Sequence, residues 1–155
     1  MKPSLFLFGL MVFSAGCHIP APDERAVKQM LTTFFAAVER DDEDMARACL
    51  IDLDAFHELN PDVAARVDAE SFTATLMAEL IQNYRDMARF FEGRKLKVKS
   101  IKLGDNWYQY KGHQAFKDTE VIVSADGEEV PVIIRGIVRV EGKWRIVDLS
   151  GNDML

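Results

Sequence analysis

The first half of the chain carries apolar residues at helical spacing in two long stretches. The first predicts a helix over residues 24–40, with one apolar face. The second predicts a long helix over residues 69–92, preceded by the capping residue Asp68 and ended by Gly93. Apolar residues three or four positions apart mark its buried stripe: Phe72, Leu76, Leu80, Tyr84, Met87 and Phe91. Two shorter helices are predicted between these stretches.

The second half alternates apolar and polar residues, as β-strands do. A first strand over residues 95–103 changes phase at Ser100, which predicts a β-bulge there. The aromatic residues 107–110 form either a ragged strand or a lip over a cavity. Strands over residues 116–124 and 130–140 follow, and a last arm ends near Leu149. The predicted fold class is α+β: N-terminal helices, including one long helix, packed on a curved four-stranded antiparallel sheet.

Residues 130–149 form a hairpin whose register decides which side chains share a face. A tight two-residue turn at Glu141-Gly142 would set Trp144 beside Arg139. A bulged turn would instead group Trp144 and Ile146 with the aliphatic residues of the first arm. The hydrophobic pattern favours the bulged turn. The inner face is then predicted to carry Val132, Ile134, Gly136, Val138, Val140, Trp144, Ile146 and Asp148, and the outer face Arg135, Arg139 and Arg145.

Composition excludes two classes of protein. Of 155 residues, 48% are hydrophobic and 28% charged, which argues for a folded domain rather than a disordered chain. The net charge of −6 does not predict the basic surface that nucleic-acid binding requires. Ligand spacing typical of metal sites and a glycine loop for phosphates are both absent from the sequence, so no metal or cofactor is expected.

The N-terminus has the layout of a secretory signal peptide. Lys2 supplies positive charge, residues 5–13 are apolar, and small residues follow. Ser14-Ala15-Gly16-Cys17 resembles the lipobox of bacterial lipoproteins, which implies cleavage before Cys17 and acylation of that cysteine. Residues 1–16 are then the signal peptide, 17–23 a lipidated tether, and 24–155 a single cone-shaped α+β domain. The alternatives are secretion with a free Cys17, or a disulfide between Cys17 and Cys49.

This layout predicts a protein exported to the cell envelope and held on the cell membrane or outer membrane by lipid at Cys17. Its domain would face the periplasm or the exterior. Cys49 lies in a helical apolar pattern and is interpreted as a small buried hydrophobe. The acidic run at residues 41–44 is interpreted as the start of a helix rather than a metal loop.

The order of elements and the terminal strand Gly-Lys-Trp-Arg-Ile-Val-Asp, residues 142–148, resemble the nuclear transport factor two-like superfamily. That resemblance implies a cystatin-like cone, in which a curved sheet wraps a long helix and leaves a pocket. Members include isomerases, cyclases, dehydratases and non-catalytic lipoproteins, so the fold alone does not select a function. The chain also resembles periplasmic phospholipid-shuttle proteins of the toluene-tolerance type.

Candidate site residues follow from the predicted pocket. The polar points are Tyr84 and Asp148. The apolar and aromatic lining is predicted to be Met87, Trp107, Tyr108 and Trp144. These residues suggest a non-catalytic module that binds a small apolar ligand or a protein partner. The alternatives are a small hydrolase- or isomerase-like enzyme with Asp148 as acid or base, a phospholipid carrier, and a homodimer or heterologous complex through the outer sheet face.

Overall fold

The computed structural model describes residues 22–149 apart from 105, 106 and 111, and all side chains in that range except those of 22, 23 and 107–110. Helices occupy the first half of this region. They are α1 (Pro22–Arg40), α2 (Glu43–Arg47), α3 (Leu53–Leu59), α4 (Pro61–Ala64), α5 (Ala69–Phe72), a π-helical turn (Thr73–Met77) and α6 (Ala78–Phe90). Helix α1 thus begins two residues before the predicted start of the domain.

The predicted long helix is present, with one irregularity. Helix α5, the π-helical turn and α6 run continuously over residues 69–90. Asp68 caps this helix as predicted, because its Oδ1 accepts a hydrogen bond of 2.8 Å from the backbone N–H of Ser71. Hydrogen bonds to the backbone and hydroxyl of Ser71 also hold the pKa of Asp68 below its usual value. The π-helical turn could not be inferred from the 3.6-residue periodicity.

The antiparallel sheet follows the helices and confirms the α+β class. Its strands are β1 (Leu96–Lys102), β2 (Trp107–Tyr110), β3 (His113–Ala125), β4 (Glu128–Val140) and β5 (Lys143–Asp148). The main path is β1-β3-β4-β5, and the short β2 pairs with the start of β3 beside it. The register of β1 shifts between Val98 and Ser100, so the predicted bulge is confirmed.

The preferred register of the last hairpin is wrong. Val140 pairs with Lys143 and Arg139 with Trp144, which is the tight-turn arrangement. The dihedral φ is +49° at Glu141 and +76° at Gly142, as a type I′ turn requires at its two central positions. This turn matches the twist of the strands, so local backbone geometry outweighed the hydrophobic pattern. Trp144 and Ile146 therefore face away from Val138 and Val140.

A second irregularity in this hairpin reverses the end of β5. Ile137 pairs with Ile146, whereas the preceding Gly136 pairs with Asp148, so Val147 is an extra residue in β5. This bulge returns Asp148 to the face that carries Val138. A side chain at position 136 could not fit, because its Cβ would lie 2.8 Å from Val147 Cγ2 and 3.2 Å from Asp148 Cβ. Glycine at position 136 thus permits the bulge that turns Asp148.

Helix α1 spans the sheet and forms the centre of the core. It contacts β1 and β5, which lie at opposite edges of the main sheet path, and it also packs against α2 and α6. Beyond α2 the chain joins the sheet edge: Ile51 N–H donates to Ile146 C=O at 2.9 Å, and Ile146 N–H donates to Cys49 C=O at 2.8 Å. These two bonds place α3 against the end of the sheet.

Candidate functional site

A cleft of about 290 Å³ opens between α3, the π-helical turn and the last two strands. From the helical side it is lined by Phe56 and Leu59 of α3, by Asn60 and by Leu76. Its remaining lining residues are Ile51, Ala115, Ile137, Val138, Val147 and Asp148. The cleft is therefore apolar over most of its wall, with a carboxylate and an amide as its polar groups.

Helix α3 is held over the sheet by hydrogen bonds at its start. Asp52 Oδ1 accepts a bond of 2.9 Å from Ala55 N–H and so caps the helix. Arg145 of β5 reaches the same point, where its Nη1 donates to Ala48 C=O at 2.9 Å and its Nη2 lies 3.0 Å from Asp52 Oδ2. Because these contacts link β5 to the start of α3, they fix the width of the cleft.

The π-helical turn supplies the wall opposite the sheet. Leu76 lies in this turn and lines the cleft. Phe72, one residue before the turn, packs against Phe56 of α3 with ring centroids 5.5 Å apart. A π turn inserts one residue into the helical repeat, so it changes the direction in which the following side chains project. Such turns occur frequently at functional sites.

The sheet side of the cleft depends on the β5 bulge. Ala115 of β3 and Val138 of β4 are directly paired and present one face to the cleft. Asp148 reaches the same face only because Val147 is the extra residue in β5. Two local irregularities, the π turn and the β-bulge, thus place Leu76 and Asp148 on the same cavity. Bulges also recur beside binding sites, where they redirect a side chain.

A second cleft of about 180 Å³ adjoins the first. The two share three lining residues, Leu76, Val147 and Asp148. The second cleft continues along α6 and is further lined by Glu79, Leu80, Asn83 and Leu149. The first cleft is therefore mostly apolar and the second more polar, and Asp148 lines both.

Polar contacts are also made by residues of α3 and by Asn60 at its end. Asn60 Nδ2 donates to Phe56 C=O at 3.0 Å, which orients the amide at the end of α3. His113 Nε2 lies 3.9 Å from Glu58 Oε1, so a protonated imidazole there would pair with that carboxylate. His57 Nε2 lies 2.6 Å from Val67 C=O and so serves to hold the chain after α4.

Tyr84 and Met87 lie elsewhere, in the fully buried core of α6. Both side chains are 0% exposed, and neither lines the cleft beside Asp148. The Tyr84 hydroxyl donates to Ala37 C=O at 3.2 Å, and its ring packs edge-on against Phe34. Burial, together with the nearby acids Asp41, Asp42 and Glu43, raises the pKa of Tyr84 to about 12. Tyr84 therefore joins two helices rather than facing a ligand.

Trp144 does not lie beside Asp148, contrary to the prediction. Trp144 is 6% exposed and stacks on Phe116 with ring centroids 5.3 Å apart. Since Trp144 pairs with Arg139 and Asp148 pairs with Gly136, the two lie on opposite faces of the sheet. The backbones of Trp107 and Tyr108 pair with Phe116 and Ala115, whereas their side chains lie outside the described part of the structure.

Cys49 and the acidic run can be compared with the predictions made for them. Cys49 is buried with a free thiol, which confirms its interpretation as a small buried hydrophobe, and burial raises its pKa to about 11. Cys17 lies outside the described residues.

In the acidic run, Asp42 caps α2 by accepting a bond of 2.9 Å from Met45 N–H, as the helix-start interpretation requires. Within residues 22–149 as described, no His, Cys, Asp and Glu group could hold a metal ion.

A larger cleft of about 550 Å³ lies between the C-terminal ends of α1 and α6. Its lining is mainly charged, and the ion pair of Arg85 and Glu43 at 2.8 Å joins α6 to α2 there. Arg47 and Arg85 hold the pKa of Glu43 below its usual value. Volume alone would favour this cleft, but its basic and acidic residues already neutralise one another across an open surface. The cleft beside Asp148 is therefore the stronger candidate.

Comparison of the chain with family models, curated proteins and solved structures finds no match. Among the helices that the structure describes, none has the length and apolar character needed to cross a membrane. The assignment of the candidate site therefore depends only on the geometry of the described residues.

Sequence reasoning missed Phe56, Leu59 and Asn60, and it assigned Leu76 to the core stripe. A proline after Asn60 indicated only a helix boundary, since no pattern in the sequence relates that boundary to Asp148.

Proposed function

We propose that this chain is a lipid-anchored protein of the cell envelope whose domain binds a small apolar ligand in the cleft beside Asp148. The observation that supports this proposal is the convergence of a π turn and a β-bulge on one apolar cavity. Each irregularity interrupts regular hydrogen bonding, and each presents one lining residue, Leu76 and Asp148. A cavity of about 290 Å³ holds a small molecule rather than a large cofactor.

The anchor belongs to the same proposal and is supported by the sequence around Cys17. The lipobox-like segment and the preceding apolar run favour export and acylation at this cysteine. We expect the wild-type protein to incorporate labelled palmitate in bacterial cells and Cys17→Ser to lose the label. Retention of the label by Cys17→Ser would exclude this anchor and would leave the cleft proposal untouched.

The cleft is tested by filling it. Leu76→Trp places a larger side chain at the junction of the two clefts, and Val63→Trp adds the same residue at a position 36% exposed on α4. Binding of an environment-sensitive apolar fluorophore, measured by its emission, should be strongly reduced by Leu76→Trp and retained by Val63→Trp. Equal binding in both variants, with unchanged circular dichroism, would contradict the proposal.

The other functions considered from the sequence remain predictions. A partner-binding outer face was expected to carry Arg135, Arg139 and Arg145, but Arg145 pairs with Val138 and so lies on the opposite face. Arg135 is 3.0 Å from Asp118, and Arg139 donates to Gln114 at 3.2 Å, so both arginines contact neighbouring strands. Acid or base catalysis by Asp148 also stays a prediction.

A further inference from the structure

We infer that the free edge of β1 binds an extended peptide segment of another protein, one in which apolar and acidic residues alternate. This inference is independent of the proposed ligand cleft, because no described residue of β1 lines either of the two adjoining cavities. Within the described part of the chain β1 pairs with β3 alone, so its other side is an open strand edge. Open edges can bind an extended peptide by adding it to the sheet as a further strand.

The β-bulge at Lys99 sorts the side chains of β1 by polarity. Lys97, before the bulge, and Lys102, after it, pair with residues on the same outer face of β3. The apolar residues of β1 lie on the opposite face, across from buried residues of β3, in the pairs Leu96–Ala125, Val98–Val123 and Ile101–Val121. Without the extra residue Lys99, Lys102 would turn to the apolar face. The bulge therefore gives the edge strand one apolar and one basic row.

The apolar row of β1 is incompletely covered. Its residues Leu96, Val98 and Ile101 are half-buried, whereas their three partners on β3 are 0% exposed. They stay partly open because no described strand continues the sheet beyond β1. A peptide strand added there would place every second side chain beside this row, since side chains alternate between the two faces of a strand. Apolar side chains at those positions would bury apolar surface of both partners.

The backbone of the edge supplies hydrogen-bonding groups. Leu96 N–H donates to Glu39 Oε2 at 2.6 Å, so this N–H is directed away from β3. Backbone groups alternate in direction along an antiparallel strand, and the N–H and C=O of Val98 are therefore directed to the same open side. Since Glu39 already occupies the donor at Leu96, the stretch with which a peptide can pair begins at Val98.

The charge of the outer row favours acidic residues at the alternate positions of the peptide. Residues 94–103 include several basic residues and no acidic one, in a chain whose net charge is −6. Lys97, Lys99 and Lys102 are exposed, and none of them forms an ion pair with a described carboxylate. Glu120 lies across from Lys102 and partly offsets its charge, whereas Lys97 lies across from a serine. Because like charges on neighbouring strands are destabilising, an acidic strand is favoured over a second copy of β1.

The test uses the full-length chain carrying Cys17→Ser, which removes the proposed lipid attachment residue. The probe is the acetylated and amidated peptide Glu-Val-Glu-Val-Glu-Val. We expect calorimetry to detect its binding and amide chemical shifts to change mainly in β1. The peptide Glu-Glu-Glu-Val-Val-Val has the same composition but cannot place its acids and valines on opposite faces, so it should bind about tenfold more weakly. The alternating peptide with every amide N-methylated should not bind, because it lacks backbone donors.

Matched variants locate the charged contacts. Lys97→Gln combined with Lys99→Gln should weaken binding of the alternating peptide about fivefold, as expected for the loss of two exposed ion pairs. Arg66→Gln combined with Lys143→Gln makes the same change in net charge at exposed positions outside β1, so this variant should bind the peptide like the wild type. Circular dichroism and urea unfolding verify that each variant is folded.

Three results would overturn the inference. If both acidic peptides bind equally, or if Arg66→Gln with Lys143→Gln weakens binding as much as the β1 variant, the attraction is non-specific. If no peptide binds but vesicles of phosphatidylglycerol bind through Lys97 and Lys99, the basic row contacts a membrane surface instead. If neither binds to the folded protein, the lysines only protect the edge from pairing. The cleft proposal, which is tested with the apolar fluorophore, is unaffected by any of these results.

Discussion

The two ends of the long helix use similar residues in opposite ways. Towards its C-terminal end, Tyr84 and Met87 are completely buried against α1 and form ordinary core. Near its N-terminal end, Leu76 belongs to the same apolar stripe, but the π turn presents it to a cavity. The comparison shows that hydrophobic periodicity identifies the apolar face of a helix and does not tell whether that face meets protein or empty space.

The largest effect should come from the buried end. Met87→Ala removes a side chain that is 0% exposed and leaves a cavity, so we expect a loss of about 2–5 kcal/mol in the free energy of unfolding. Urea unfolding followed by circular dichroism measures it. Binding of the apolar fluorophore to the folded fraction should remain unchanged. A loss of binding with full stability would mean that Met87 faces the ligand.

A smaller effect is expected where the sheet turns Asp148 towards the cleft. In Gly136→Ala the new Cβ would lie 2.8 Å from Val147 Cγ2, so β5 must shift or the bulge must rearrange. We expect a destabilisation of about 1–3 kcal/mol, typical of overpacking. Ligand affinity should fall as well, because Asp148 moves with β5. Calorimetry measures both the stability and the ligand affinity. If Gly136→Ala binds the ligand as tightly as the wild type, the bulge is not required for binding.

Tyr84→Phe removes one hydroxyl from the buried end and should cost about 1 kcal/mol through the lost hydrogen bond to Ala37. It also changes the response to alkaline pH. The pKa of Tyr84 is raised to about 12, so above pH 10 the unfolded chain loses this proton first. Stability is therefore fully present below pH 10 and declines towards pH 12.

We expect this decline between pH 10 and 12, measured by urea unfolding, to be shallower in Tyr84→Phe than in the wild type. Cys49, whose pKa is raised to about 11, titrates in an overlapping range in both proteins and so serves as a common background. An identical decline in the two proteins would show that Tyr84 is not the group responsible.

The smallest effect on stability should come from the cavity end. Leu76→Ala shortens a half-buried side chain that already borders empty space, so we expect a loss of about 1 kcal/mol or less. Its affinity for the fluorophore should nevertheless decrease, since part of the binding wall is lost. A loss of stability as large as that of Met87→Ala would place Leu76 in the core and remove the contrast between the two ends.

Secondary structure and fold class could be predicted from the sequence because they depend on repeating patterns. The cap at Asp68 and the bulge at Ser100 each follow from a local signal. Side-chain placement in the last hairpin could not be predicted in the same way. There the pattern of Trp144 and Ile146 favoured one register, whereas two positive φ values at Glu141 and Gly142 produced the other.

Among the predicted residues whose side chains the structure describes, only Asp148 lines the candidate cleft, and it was predicted partly for a mistaken reason. A bulged turn was expected to bring Asp148 and Trp144 to one face together, whereas a separate bulge at Val147 brings Asp148 alone. The facing wall, Phe56 to Asn60 and Leu76, lies far away in the chain. Its position depends on tertiary contacts such as Arg145 with Asp52, which no periodicity reveals.

The pairing of residues 49–51 with β5 has a consequence for self-association. By accepting from and donating to Ile146, this segment occupies hydrogen-bonding groups through which β5 could add a strand from another molecule. At the other side of the main sheet path, β1 exposes Lys97, Lys99 and Lys102, whose like charges oppose alignment with a second copy. Growth of the sheet into fibrils through either of these two strands is thereby discouraged.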